Sequence, residues 1–132
     1  MELKMTIGCA VPREDDISIK ITGRNLITGL PTTIEVTSLE ILDALKESIE
    51  QILVATRTVL EKTPPELASD ISETGIVMTG GGALLYGIGE SIKMSTGIDV
   101  CIAEEPLSCV AKGTGIALTE LDILETGGSI KR

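Results

Sequence analysis

The chain has 132 residues, 42% hydrophobic and 23% charged, with a formal net charge of -9, no histidine and a single aromatic residue, Tyr86. That is the size and balance of one ordinary globular domain, long enough to bury roughly two thirds of its unfolded surface. It excludes a histidine base, a Ser-His-Asp triad and the commonest metal ligand. It also argues against a nucleic-acid binder, which needs a basic groove and aromatic stacking.

Residues 1–10 read as the tail of a helix that ends near Gly8. Residues 16–22 alternate, with Ile17, Ile19 and Ile21 on one face, and residues 32–37 alternate with Ile34 and Val36 inward. Both predict half-buried strands. The link between them holds Gly23, Asn25, Gly29 and Pro31, all turn formers, so an antiparallel pair is expected. Thr37-Ser38-Leu39-Glu40 fits a capping box and predicts a helix start. Leu42, Leu45, Ile49, Ile52 and Val59 then recur on one helical face, while Lys46, Glu47, Glu50, Arg57 and Glu61 form a solvated one. Pro64 and Pro65 end that helix, and Pro65-Glu66-Leu67 opens a short further turn.

From Gly75 the pattern becomes strand, turn, helix, strand, helix, which implies α/β architecture. The apolar run Gly75-Ile76-Val77-Met78 leads into T-G-G-G-A-L-L at 79–85, and Leu84, Leu85, Ile88 and Ile92 follow at helical spacing. Three glycines let a backbone approach a flat or anionic ligand without a Cβ in the way. No Lys-Ser/Thr pair follows, so the turn suits an adenine or ribose better than a triphosphate. A tight turn or hinge is the plain alternative. The second strand covers 99–103, with Gly97 as a helix stop, and a last helix runs from Pro106 to about Leu121. Gly113 and Gly115 inside it predict close packing against a neighbour, with a hinge as the alternative.

Cys9, Cys101 and Cys109 lack C-x-x-C spacing and read as buried reduced thiols. The acidic pairs Asp15-Asp16 and Glu104-Glu105 read as turn or cap residues rather than a cation site. No paired acid and base can be nominated for catalysis. No apolar run approaches the ~20 residues of a membrane span, and the N-terminus has no leader-like core. A cytoplasmic location is expected. Residues 122–132, with Gly127, Gly128 and a basic end, are expected to be a flexible tail.

Several segments taken together are specific. They are Ile27-Thr28-Gly29-Leu30-Pro31 with T-T-I-E-V-T, the run L-E-K-T-P-P-E-L-A from Leu60, and G-I-V-M through T-G-G-G-A-L-L. Ala103-Glu104-Glu105-Pro106-Leu107 and Val110-Ala111-Lys112-Gly113-Thr114-Gly115 complete the set. These closely resemble the MreB family, the bacterial actin-like cell-shape proteins, over about residues 1–121. The resemblance implies an ATP-binding, filament-forming cytoskeletal protein that helps place the wall-synthesis machinery. It implies two lobes of two subdomains each, with ATP in the cleft. It gives Gly80, Gly81, Gly82, Ala83 and Leu84 the role of adenosine-side turn. Ile7-Gly8-Cys9-Ala10 fixes a second register, which puts Lys4 on a family lysine that contacts nucleotide, while Met1 falls on the family glutamate and Glu2 on the arginine.

The family's phosphate-binding turns, D-x-G-T and D-x-G-G-G-T, do not occur in the 132 residues. The expectation is therefore the second lobe of a partial actin-like ATPase fold. Residues 1–70 would be a small α+β subdomain and residues 71–121 an incomplete α/β nucleotide-binding subdomain. The first lobe, which carries a membrane-binding loop or helix in many members, would lie outside the chain. ATP, as Mg-ATP in the full-length family, is the implied cofactor, bound weakly or not at all here, and no ATPase activity is expected. Expected partners are further copies or a full-length paralogue, and wall-synthesis adaptors. A non-catalytic interaction module or gene remnant is the alternative reading. A sugar- or acetate-kinase-like enzyme is a second, against which the Lys62-Thr63-Pro64-Pro65 segment argues because it matches the shape protein.

Overall fold

A computed structural model describes residues 2–121, 123 and 125, with Glu2 through its backbone alone. Met1 and most of the tail expected over 122–132 lie outside the described residues. The order is α1 (Glu2–Ile7), β1 (Ser18–Arg24), β2 (Pro31–Thr37), α2 (Ser38–Glu61), α3 (Pro65–Thr74), β3 (Ile76–Met78), a 3-10 turn (Gly81–Leu84), α4 (Ile88–Thr96), β4 (Val100–Ile102) and α5 (Cys109–Thr119).

β1 and β2 pair antiparallel, with Ile19 opposite Val36 and Ile21 opposite Ile34. Asn25 builds the connecting turn: its Oδ1 accepts from the N–H groups of Ile27 and Thr28 at 2.9 and 3.1 Å. Ile19, Ile21 and Val36 are half-buried as the alternation predicts, but Ile34 is 54% exposed, and Ile17, expected on the same face, precedes β1 and is exposed. The helices touch the ribbon near its base, and the turn beyond stands in solvent, with Leu26 and Ile27 almost fully exposed.

The capping box forms as read. Thr37 Oγ1 accepts from the Glu40 N–H and Glu40 Oε2 accepts from the Thr37 N–H. The next residue anchors the helix to the segment before β1. Ser38 is 1% exposed; its Oγ donates to Asp16 Oδ1 at 2.6 Å and accepts from the Ile17 N–H at 3.2 Å. Asp16 is thus a long-range acceptor for the start of α2, rather than the turn or cap residue expected from its neighbours. α3 runs ten residues rather than one turn, because no breaker follows Pro65 until Gly75. There φ is +83°, and a Cβ would lie 2.8 Å from the Asp99 carbonyl oxygen.

Ala10, Ile49, Ile88 and Ile92 form the buried cluster, flanked by half-buried Leu45, Leu53, Ile76, Met78, Leu85 and Val100. α2 therefore packs on α4 through the middle of its apolar face, while Ile52 and Val59 farther along remain substantially exposed. Arg57 does not belong to a purely solvated face: its Nε donates to Ser95 Oγ on α4 at 2.6 Å. β3 and β4 pair in parallel with α4 as the crossover, as the strand–helix alternation implies. Gly97 stops α4 at φ +75°. Just beyond, Lys93 Nζ lies 2.5 Å from Asp99 Oδ1, and that hydrogen bond, with the carboxylate charge, raises the lysine pKa.

α5 departs from expectation. Its start is three residues later than Pro106, since residues 106–108 form turns. A Cβ on Gly113 or Gly115 would meet nothing within 4 Å, so the close packing expected there is absent among the described residues. Val110, Ile116 and Leu118 are 65–74% exposed. The thiols differ as well: Cys9 is buried, Cys109 half-buried and Cys101 exposed on β4. Among the described residues no helix is long and apolar enough to cross a membrane.

The Ser38 junction gives a test. Ser38→Ala leaves the Ile17 N–H without its hydroxyl acceptor and Asp16 without its donor. Urea denaturation should show a loss of about 1–3 kcal/mol, whereas Thr37→Ala, which removes a solvent-side cap, should cost about 1 kcal/mol.

Candidate functional site

β3 delivers the chain into the glycine turn. Gly80 sits at φ +81°, ψ 173°, a conformation that L side chains rarely adopt. Its N–H donates to the Pro106 carbonyl at 2.8 Å, so the loop after β4 braces the turn from below. One 3-10 turn follows, closed by Ala83 N–H to Gly80 O and Leu85 N–H to Gly82 O. α4 does not begin here, as the sequence pattern suggests. Gly87, at φ +76°, interrupts the run and caps a helix that starts at Ile88. Leu84 and Leu85 therefore precede α4, and Leu85 extends against the core cluster.

A second segment runs alongside. Cys9 bridges Tyr86 in parallel, and the Ala10 N–H donates to the Tyr86 carbonyl at 2.7 Å. Two glycines make this contact possible. A Cβ on Gly8 would lie 2.2 Å from the Lys4 carbonyl oxygen and 2.9 Å from Leu85 Cδ1, and one on Gly87 would lie 2.2 Å from Val11 Cγ2. The pairing sets α1, which carries Lys4, beside the glycine turn.

Between them lies a cavity of about 220 Å³. Lys4 lines it from α1, Met78 and Thr79 from the end of β3, and Gly82 and Ala83 from the turn; Leu45, Ser48, Ile49 and Ile52 line it from α2. Its surface is mostly apolar, with the lysine and the Ser48 and Thr79 hydroxyls as polar points. Such a mixture suits a flat, partly polar ring system. Of the six residues expected at the site, Lys4, Gly82 and Ala83 line this cavity. Gly80 shapes the turn, Gly81 faces Leu107, whose Cδ2 would lie 3.3 Å from an added Cβ, and Leu84 is 39% exposed outside the lining. The α2 contribution was not read from sequence. The available signal was Ser48, a polar residue three after Leu45 and four before Ile52 on the apolar face. Among the described residues no three acidic, cysteine or histidine side chains converge as a metal site.

With this geometry in view, the comparisons with known proteins are specific. The backbone matches MreB5 of Spiroplasma citri bound to ADP with a TM-score of 0.84 and 35% identity, covering 91% of this chain and 36% of that one. MreB5 of the same organism bound to AMPPNP matches with a TM-score of 0.84 and 34% identity, covering 96% of this chain and 38% of that one. The architecture is a partial actin-like fold. The MreB/Mbl protein family pattern matches residues 1–126, and the chain belongs to that family. It is 48% identical over 121 residues to the cell shape-determining protein MreB of Escherichia coli (strain K12), covering 92% of this chain and 35% of the relative. It is 46% identical over 123 residues to Mbl of Bacillus cereus, covering 93% and 37%. The chain thus spans little more than a third of the length of the curated relatives it matches.

The glycines of the site should separate on substitution. Gly80→Ala forces a side chain into a backbone region open essentially to glycine alone and should cost about 1–3 kcal/mol. Gly87→Ala adds a clash with Val11 and should cost more. Gly82→Ala meets nothing within 4 Å at ordinary φ and should leave the thermal midpoint near wild type.

Proposed function

We propose that this chain is the part of a bacterial actin-like, filament-forming shape protein that supplies the adenosine side of an ATP site. In this reading residues 1–70 and 71–121 are the two subdomains of the second lobe. Gly80, Gly81, Gly82, Ala83 and Leu84 form the adenosine turn, and Lys4 adds one charged contact. One observation carries the reading. Gly82 is a glycine that folding does not require: its φ is ordinary and the space beside it is open, yet it lines the cavity with Ala83 and Lys4. A glycine kept clear beside a cavity leaves room for a ligand. The ADP and AMPPNP bound in the two structures of MreB5 of Spiroplasma citri supply the ligand class.

The 132 residues hold no D-x-G-T or D-x-G-G-G-T turn. Phosphoryl transfer depends on phosphate and Mg²⁺ contacts of that kind, so the chain by itself should not turn over ATP. Within a complete filament protein it would act in the cytoplasm, at the membrane, with further copies and wall-synthesis adaptors as partners. A second reading, an interaction module that binds the full-length filament protein, is favoured by the exposed apolar side chains of Leu107, Val110, Ile116 and Leu118 around α5. A pull-down that captures no full-length paralogue at any salt concentration would remove it.

The main reading is tested by titrating the chain with adenosine, ADP and ATP while following amide resonances. One-sided contacts should give a Kd of about 1 mM or weaker, with little discrimination among the three ligands. Shifts should centre on residues 79–83 and Lys4. Gly82→Val should abolish them while leaving the thermal midpoint close to wild type. Tight binding with a strong preference for ATP would refute the reading.

A further inference from the structure

α1 has six described residues, too few to persist as a helix by propensity alone. Its place beside the glycine turn, and so the position of Lys4 at the cavity, must come from tertiary ties. Arg13 is a tie of an unusual kind. Its Nη2 donates to the Gly8 carbonyl at 3.2 Å and to the Thr6 carbonyl at 3.4 Å, both at the C-terminal end of α1, where a helix presents unpaired carbonyls and partial negative charge. The same guanidinium lies over the Tyr86 ring, 4.5 Å from its centroid, within the range of a cation–π contact. Tyr86 follows the glycine turn directly, separated from Leu84 by one residue. One planar cation therefore touches the end of the helix that carries Lys4 and the exit of the turn that carries Gly82 and Ala83. Arg13 Nε is buried with no hydrogen-bond partner among the described residues, so the ring and the two carbonyls orient the group.

We propose that Arg13 is a positioning residue: stacked on Tyr86 and bonded to the carbonyls of Thr6 and Gly8, it sets the spacing of α1 from the glycine turn and thereby the width of the cavity. The proposal rests on the adenosine reading for its ligand alone; the coupling is a property of the free chain. Backbone pairing of residues 9–10 with Tyr86 aligns the two strips along their length. The buried side chain of Ile7 holds one face of α1 inward, and the Arg13 bonds add a tie at its last carbonyls, on the side of Tyr86.

The test compares amide spectra of the free chain for Arg13→Met, which keeps the apolar stem and removes the guanidinium, and Tyr86→Phe, which keeps the ring. Arg13→Met should move the resonances of Lys4 and of residues 81–83 while those of α3 and the β1–β2 ribbon stay in place. Tyr86→Phe should move neither set. Adenosine affinity should fall roughly five-fold in Arg13→Met and return toward wild type in Arg13→Lys, which restores a cation over the ring. If Arg13→Met does not fold, Tyr86→Leu carries the same comparison, with shifts expected at residues 81–83 and Lys4. Unchanged resonances at Lys4 and residues 81–83 in the folded variant would overturn the proposal, whether or not adenosine binds. Failure of the wild-type chain to show any saturable adenosine shift would instead sink the adenosine reading, and the free-chain spectra would still decide the coupling.

Discussion

Ile49 stands midway along α2, and the buried cluster closes around it: Ala10 from the segment after α1, Ile88 and Ile92 from α4. α2, β3 and the exit of the glycine turn, which line the candidate cavity, each place a side chain in or against this cluster. Leu45 lies one turn before Ile49 and Ile52 one turn after, so the stretch of α2 that builds the core also builds the cavity wall. Leu85, at the exit of the glycine turn, packs on the same cluster. With seven buried hydrophobic side chains among the described residues, the four of this cluster and Ile7, Cys9 and Ala83, the core is small for the length of chain. Each isoleucine of the cluster contributes about 1.5–3 kcal/mol on burial. The exposed apolar side chains on α5 and at the β1–β2 turn add nothing to that sum.

The devices around the core each hold two segments close together. The capping box and Ser38 hold the start of α2 to the segment before β1. Gly8 and Gly87 let two backbone strips approach more closely than any side chain would allow. Gly75 does the same between the end of α3 and Asp99. These are steric requirements of folding. Gly82 differs from these, because no steric requirement accounts for it and it lines the cavity, whereas Gly80 in the same run is held at positive φ.

Polarity in the cavity is sparse, and that limits the chemistry it can support. Lys4, Ser48 and Thr79 offer hydrogen-bonding or charge contacts, and the rest is aliphatic. Such a surface can recognise the face of a ring and orient a sugar. It offers no clustered donors for a triphosphate and no acid–base pair. In the proposed reading it would be one wall of a cleft; the chain spans little more than a third of the length of its relatives.

Much of this was legible in the chain itself, and for a local reason. Thr37 and Glu40, Pro64 and Pro65, and Gly97 act through their own backbone geometry or their nearest neighbours, so both ends of α2, the start of α3 and the stop of α4 follow from residue type. The alternation at 18–22 needs only the period of a strand, and the string T-G-G-G-A-L-L with its companion segments is enough to place the family. What sequence could not supply was set by contacts between distant residues. That Gly87 delays α4 depends on its close approach to Val11; that Gly113 and Gly115 stand open depends on what surrounds α5; that Arg57 reaches Ser95 depends on how α2 crosses α4. The cavity belongs to this second group. Lys4, Ser48 and Gly82 are separated by tens of residues, and only the packing of α2, α4 and the paired strips at 8–10 and 85–87 brings them to one space.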